Sequence, residues 1–376
     1  MSEGAMGDSR LEMRVVFALR SDALTKPGGD SSKVHRYRSH LAALGWDSSI
    51  VTSPQDLAKE RADVVHIVNL DLPIENSGYV RVANRMGAPI ALSTIRHPFD
   101  GVEAMYHHGA DSFYKSTRRL LLSADQAVAA RERIKLFRAK NPSWRLGGSS
   151  FFRNQHRLIG SVDAYLPMAE GERLDLERLF RPPGQCSVVR NGFTFGGLKT
   201  AEEAFADPTF DVISVGRIEP RKNSVALARA ALQLGVTVKF VGALNTKHRA
   251  YAMEFERLVE SSSAIVHQPA VPQDELPKIL AQATTYVNPA WFEVVSQADA
   301  EAATLGLKIV TTKHSYIQDA LGPSTPVFDP TDLIATPADA LAAALGKATT
   351  VSPPAPIQWS DAVADLVRAY EGIVRR

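Results

Sequence analysis

The chain has a single cysteine in 376 residues, Cys186. That excludes an intramolecular disulfide, a thiolate zinc cage and an iron–sulfur cluster, each of which needs several thiols, and makes a reducing cytoplasm the expected setting. Charge of one sign is scarce as well: 43 Lys and Arg stand against 41 Asp and Glu, a formal net charge of +2. The whole-chain balance makes no case for nucleic acid, so a polyanion site has to come from local clustering. No apolar run approaches the roughly 18–20 residues that cross a bilayer, and the opening MSEGAMGDSRLE lacks the basic-then-apolar layout of a signal peptide and reads as a tail. Neither Gly-x-Gly-x-x-Gly nor Gly-x-x-x-x-Gly-Lys-Ser/Thr follows an apolar run, which removes the usual dinucleotide and P-loop readings. No His-x-x-x-His or Cys/His cluster suggests a metal, and none is expected.

What the chain does have is apolar material, 45% of its residues, in a length comfortable for two cores. From Met13 the segments MRVVFAL, KVHRYRSHLAALG, SSIVTS, ADVVHIVNL, VRVANRMG and PIALSTI alternate short apolar runs with helical lengths, the βαβ rhythm of a parallel sheet. The runs are unbroken by polar alternation, as in strands covered by helices on both faces. A cleaner series follows: DVISVG, NSVALARAALQLG, VTVKFVG, AIVHQPA, DELPKILAQA, TTYVNP, QADAEAATLG and LKIVTT, with helices closing at Gly235 and Gly306. The reading is an α/β chain with one domain over residues 13–206 and a second over 207–357. A Pro-rich connector then leads to an amphipathic helix, 358–376, expected to pack back on the first domain.

Ligands of open parallel sheets sit beyond the carboxyl ends of the strands, so the loops there hold the candidate residues. SVGRIEPRKNSVAL places Arg217 at a strand end and Lys222 before a helix that Asn223 or Ser224 is expected to cap. Two cations beside a helix N-terminus suit a phosphate or diphosphate. In WFEVVSQADAE, Ser296 and Asp299 read as a capping-box-like helix start, Glu293 lies in the loop before it, and Glu301 lies about 7.5 Å further along the axis. Carboxylates at two depths accept hydrogen bonds from separate hydroxyl-bearing parts of one elongated ligand.

The ordered set VGRIEPRKN, VKFVG, VPQDELPKILAQATTYVNPAWFE and EAATLGLKIVTT, with KPGGDSSKV and VVRNGF in the first half, resembles the retaining glycosyltransferases of family 4. The resemblance implies the GT-B fold, two Rossmann-like parallel-sheet domains facing a central cleft. It also implies a metal-independent, hexosyltransferase-like enzyme that takes a nucleotide-diphosphate sugar as co-substrate, without a cofactor. By the same resemblance Arg217 and Lys222 hold the donor diphosphate, Glu293 contacts the donor sugar and Glu301 the ribose, and residues 268–276 line the base pocket. Gly28 and Gly29 match the loop that approaches the phosphates from the other domain, beside the alternative of a tight turn after Pro27, and His97 matches a histidine near the anomeric centre. Val294, Val295 and Ser296 stand where the family carries glycines for close donor contact, which keeps open a scaffold that binds a sugar nucleotide or a partner protein without turnover.

Residues 111–157 hold eleven Lys or Arg against three acids. Interleaved with apolar residues, they form either a solvated basic face or a peripheral contact with the inner face of the membrane. The expected acceptor is a carbohydrate, lipid-linked or small molecule, in bacterial glycan, glycolipid or glycosylated-metabolite synthesis; no recognised nucleic-acid motif is present.

Overall fold

The computed structural model describes residues 13–26, 28–192, 208–351 and 357–375. The expected boundary at 206–207, the turn at Pro27 and the end of VVRNGF lie outside these residues. Two sheets organise the chain. The first holds β1 (Arg14–Ala18), β2 (Asp47–Val51), β3 (Val64–Val68), β4 (Ile90–Ser93), β5 (Ala164–Leu166) and β6 (Gln185–Cys186), in the order β2-β1-β3-β4-β5-β6, all parallel. The second holds β7 (Phe210–Val215), β8 (Val238–Val241), β9 (Ile265–Gln268), β10 (Ala283–Val287), β11 (Lys308–Thr312) and β12 (Val327–Phe328), in the order β12-β11-β10-β7-β8-β9. A short strand β13 (Thr349–Thr350) adds one antiparallel pairing on β11, a departure from a wholly parallel sheet.

The unbroken apolar runs become strands buried on both faces: all five residues of VVHIV in β3 and all four of VKFV in β8 are buried. Successive side chains serve opposite layers. Val15 and Phe17 of β1 join Val34, Tyr37 and Leu41 of the helix Gly29–Ala43, while Val16 and Ala18 join Tyr79, Val82 and Ala83 of the helix Pro73–Met86. In the second sheet Val212 and Ile213 divide in the same way between two clusters.

The closing helix Trp359–Val374 belongs to the first sheet's core. Its Trp359, Val363, Leu366 and Tyr370 pack with Val15, Phe17, Tyr37 and Trp46, and the Tyr370 hydroxyl meets the His66 ring at Nδ1 inside β3. Gly192 is explained by this contact, because a Cβ there would lie 2.6 Å from the Trp359 ring. The chain therefore crosses from the first lobe to the second and returns.

Both strand orders contain a switch point where consecutive connections diverge: between β1 and β3 in the first sheet, and between β7 and β10 in the second. The crevice of such a sheet opens there. The loops concerned are those that hold Gly28 after β1, Arg217 and Lys222 after β7, and Glu293 after β10.

We expect Trp359→Ala to destabilise the first lobe by about 3–5 kcal/mol, the usual cost of deleting a large buried aromatic side chain. A urea titration followed by near-ultraviolet circular dichroism checks this; an unchanged midpoint would show that the returning helix is dispensable.

Candidate functional site

Two loops meet at the second sheet's switch point. After β7 the chain passes through a 3-10 turn, Pro220–Lys222, and then a left-handed Asn223 (φ 56°) that launches the helix Ser224–Leu234. The expected cap by Asn223 or Ser224 is corrected here: neither side chain caps the helix, and the Val225 N–H donates instead to the Tyr251 hydroxyl at 3.0 Å. A left-handed Asn223 turns its side chain away from the helix start, and a hydroxyl from the next helix takes its place. After β10 the other loop is stitched to the first, since the Trp291 N–H donates to the Arg221 carbonyl at 2.9 Å. The Glu293 N–H donates to the His314 carbonyl, also at 2.9 Å.

This stitching places the Glu293 carboxylate between two cations. Lys222 Nζ and Arg221 Nη1 both reach Glu293 Oε1, the latter at 3.1 Å. Burial alone would raise the Glu293 pKa, but the charges of Arg221 and Lys222, with the Lys222 hydrogen bond, outweigh it and hold the group down at about 2. Arg221 also lies 3.4 Å from Glu219 Oε1 and donates to the Phe292 carbonyl at 3.2 Å. Arg217 is not drawn onto Glu293: its half-exposed side chain sits 3.6 Å from Glu219 Oε1. Glu219 and Glu293 thus link three cations in a row.

Ser296 caps the helix Gln297–Thr304, its hydroxyl accepting from the Asp299 N–H at 3.4 Å. The reciprocal half of the expected capping box is absent. Asp299 instead turns inward, fully buried, and accepts from Tyr286 Oη at 2.9 Å, Asn288 Nδ2 at 2.9 Å and Thr311 Oγ1. It ties the helix to β10 and β11 directly behind Glu293. Val294 is buried and its carbonyl accepts from the Tyr316 N–H at 2.8 Å, while Val295 is half-buried. Glu301 meets Gln273 Nε2, which brings it to the loop after β9; burial pushes its carboxyl up to about 7, against the lowering effect of the Gln273 bond.

The first lobe closes on this site. Gly28 precedes the helix Gly29–Ala43, with its N–H donating to Ser31 Oγ at 2.8 Å, and a Cβ on Gly29 would meet nothing within 4 Å. His97, in the loop after β4, places Nδ1 2.7 Å from Asp71 Oδ2, and its ring lies edge-on to Phe292 of the second lobe at 5.0 Å. Gln155 Nε2 donates to the other Asp71 oxygen at 2.8 Å, so Asp71 orients the His97 ring and its tautomer. Gly101 is a contact point between lobes: a Cβ there would lie 2.5 Å from the Trp291 carbonyl oxygen. The structure therefore brings Lys222, Glu293 and His97 to one interlobe zone, sets Arg217 at its edge, and holds Glu301 in a separate position against Gln273.

Arg221 and Asp71 escaped the sequence reading. The signal for Arg221 was its place beside Lys222 in EPRKN; Asp71 lay in NLDLP, at the end of a recognised strand. Among the described residues no group of three or more His, Cys, Asp or Glu could hold a metal ion, and no helix is long and apolar enough to cross a membrane.

No family profile and no curated protein sequence matches the chain. Solved structures do. Sucrose-phosphate synthase from Thermosynechococcus elongatus superposes with a TM-score of 0.64 at 14% identity, covering 96% of both chains. HepE of Anabaena, in a structure with UDP and glucose, follows at 0.56 and 12% identity over 96% of this chain and 97% of that one. AviGT4, a glycosyltransferase of avilamycin A biosynthesis, follows at 0.51 and 13% identity over 96% and 98%. The chain has the GT-B fold. Two α/β lobes with sheets of six and seven strands, and the likeness to these structures over nearly their full length, carry that assignment.

The two carboxylates have opposite linkage. Glu301 is raised above the usual 4.5, so folding favours its protonated form, and its contribution to stability declines as pH rises from about 4.5 through about 7. Glu293 is depressed, so its contribution is present above about 4.5 and lost as pH falls toward about 2. We expect Glu301→Gln to be stabilised relative to the wild type at pH 8 by up to about 3 kcal/mol, with little difference at pH 4.5. Urea midpoints at the two pH values check this, and a pH-independent difference would contradict it.

Proposed function

We propose that the chain is a retaining glycosyltransferase that moves a hexosyl group from a nucleotide-diphosphate sugar to an acceptor hydroxyl without a metal ion. The observation that carries this reading is the Arg221–Glu293–Lys222 cluster at the second sheet's switch point, with His97 of the first lobe edge-on to the adjoining Phe292. HepE, with the same fold, has been solved with UDP and glucose, which supports a nucleoside diphosphate sugar as donor.

In this reading Lys222 exchanges its contact with Glu293 for the donor diphosphate, joined by Arg217, whose half-exposed guanidinium is free to swing in. Glu293, released from Lys222 but still held by Arg221, accepts from sugar hydroxyls, and Glu301 from the ribose. The bond from the anomeric carbon to the diphosphate breaks and one to the acceptor oxygen forms on the same face. The acceptor proton passes to a diphosphate oxygen, and the products are a glycoside and a nucleoside diphosphate. Charge developing on the departing diphosphate meets the cations of Lys222 and Arg217, which is the main source of rate. With Lys222 and Arg217 supplying that charge, the chemistry has no need of a divalent cation.

A scaffold reading has one observation in its favour: Val294 and Val295 occupy the stretch beside Glu293, and Val294 is buried. Calorimetry with UDP-, GDP-, ADP- and dTDP-sugars, coupled to a donor-hydrolysis assay, separates the two, because binding without turnover of any donor favours the scaffold. For the enzyme, Lys222→Ala and Arg217→Ala are each expected to lower turnover by about 10²-fold or more. Normal transfer by both variants would refute the assignment.

The acceptor side carries a further proposal, a peripheral contact with anionic lipid at the cytoplasmic face. Leu121 (92% exposed), Leu120 (71%) and Phe137 (62%) stand out from the basic segment among the exposed Lys115, Arg119, Arg138 and Lys140. Apolar insertion beside cations is the pattern of surface-bound proteins. The wild type is expected to co-sediment with phosphatidylglycerol vesicles and not with phosphatidylcholine vesicles. Leu120→Ser with Leu121→Ser is expected to weaken this about tenfold, and equal sedimentation would oppose it.

A further inference from the structure

A second group of cations lies beside Arg221 and Phe292, in a cleft of about 840 Å³ whose walls come from both lobes. Two of the basic residues lining it are matched. Arg131 holds Asp111 at 2.5 Å, and Arg221 lies 3.4 Å from Glu219. Four remain: Lys26, Lys135 and Arg138 from the first lobe, and Lys247 from the second. They have essentially one carboxylate in the cleft to share, Asp22. Lys135 Nζ stands 3.5 Å from it and Lys26 Nζ 3.9 Å, while Arg20 already engages it at 2.6 Å. Lys135 has a further acid, Glu75, at 3.7 Å outside the lining.

Lys247, on the second lobe's wall of the cleft, has no acid at ion-pair distance among the described residues, and it faces the same space as Lys26 and Lys135. The positive charge of Lys26, with burial and Lys135, lowers the Lys247 pKa against the raising effect of Asp22. Lys26 and Lys135 already share Asp22 with Arg20, so the carboxylate nearest this group of cations is heavily outnumbered. Like charges held together in a partly enclosed cleft are stabilised when a bound anion supplies the missing negative charge.

We propose that this interlobe cleft binds the phosphate monoester of a phosphorylated acceptor, gripped by Lys26 and Lys135 from one lobe and Lys247 from the other. A dianion with three terminal oxygens matches three separate ammonium donors, whereas a carboxylate offers two oxygens and one charge. Arg221 and Phe292 line the same cleft, and Arg221 also holds Glu293, so a ligand anchored by its phosphate extends toward the place where the donor sugar is proposed to lie. The ligand's role as acceptor rests on the transferase reading; the binding of phosphate does not.

The test is calorimetry on the full chain at low ionic strength, with inorganic phosphate, glucose 6-phosphate, glucose and glucuronate as probes. Phosphate and glucose 6-phosphate are expected to bind, glucuronate at least about tenfold more weakly than glucose 6-phosphate, and glucose not measurably. Lys247→Met and Lys26→Met, both at exposed positions, are each expected to weaken glucose 6-phosphate about tenfold, the loss of one charge-assisted contact, without changing nucleoside diphosphate binding or the thermal midpoint. Phosphatidic acid in phosphatidylcholine vesicles tests a lipid-borne source of the same group; sedimentation that is lost in Lys247→Met assigns the phosphate to lipid, and glucose 6-phosphate binding lost in that variant assigns it to a soluble sugar. Absence of binding by every phosphate probe, glucuronate binding equal to glucose 6-phosphate, or affinities unchanged in both variants overturns the proposal. Failure of all nucleoside diphosphates to bind overturns the transferase reading and leaves these outcomes legible.

Discussion

The site depends on one buried carboxylate. Taking Glu293 out of water costs several kcal/mol unless opposite charge is placed against it, and Arg221 and Lys222 supply that charge from a loop some seventy residues earlier in the chain. Neither loop is stable in this form alone, because each carries charges that the other neutralises. The hydrogen bond from Trp291 to the Arg221 carbonyl fixes their spacing. What results is a charged cluster at the mouth of the second sheet, assembled before any ligand arrives.

Behind that cluster stands Asp299, a second buried acid with a different role. It has no cation; three side chains from β10 and β11 and the loop beyond donate to it, and burial raises its pKa while those bonds lower it. It braces the helix that carries Glu301. Beside Glu293 the first lobe presents a histidine oriented by Asp71, and the close-packed Gly101. At Glu293 itself the charge comes from the second lobe, and the first lobe presents the His97 ring to Phe292.

Most of the architecture was legible because both sheets are made of unbroken apolar runs punctuated by glycines, a pattern that leaves few alternatives to a parallel α/β fold. Strand positions and the placement of Arg217, Lys222 and Glu293 in loops after strands followed from it. Partner choice did not. Arg221 and Lys222 lie in the 3-10 turn at Pro220–Lys222 and meet Glu293, whereas Arg217 lies before the turn and meets Glu219, and no spacing rule encodes that difference. Asp299 read as a capping residue because sequence shows its distance from Ser296 and not the ring of hydroxyl and amide donors that strands β10 and β11 gather around it. Asp71 was invisible for the same reason: its partner His97 lies 26 residues away, beyond another strand.

Gly101 carries a mechanical consequence. The helix Phe99–His108 begins against the Trp291 carbonyl and the Phe292 and His314 side chains, with no side chain of its own to cushion the approach. Main chain there abuts main chain, and that is an incompressible stop. On another side the lobes are latched by softer links, the Tyr316 hydroxyl on Asp175 at 2.8 Å and the Gly171 N–H on Asp319. A door built this way has its jamb at Gly101 and its catch at Tyr316: swinging can only part the jamb, never drive it deeper, so the aperture over Glu293 has a fixed minimum written into the backbone.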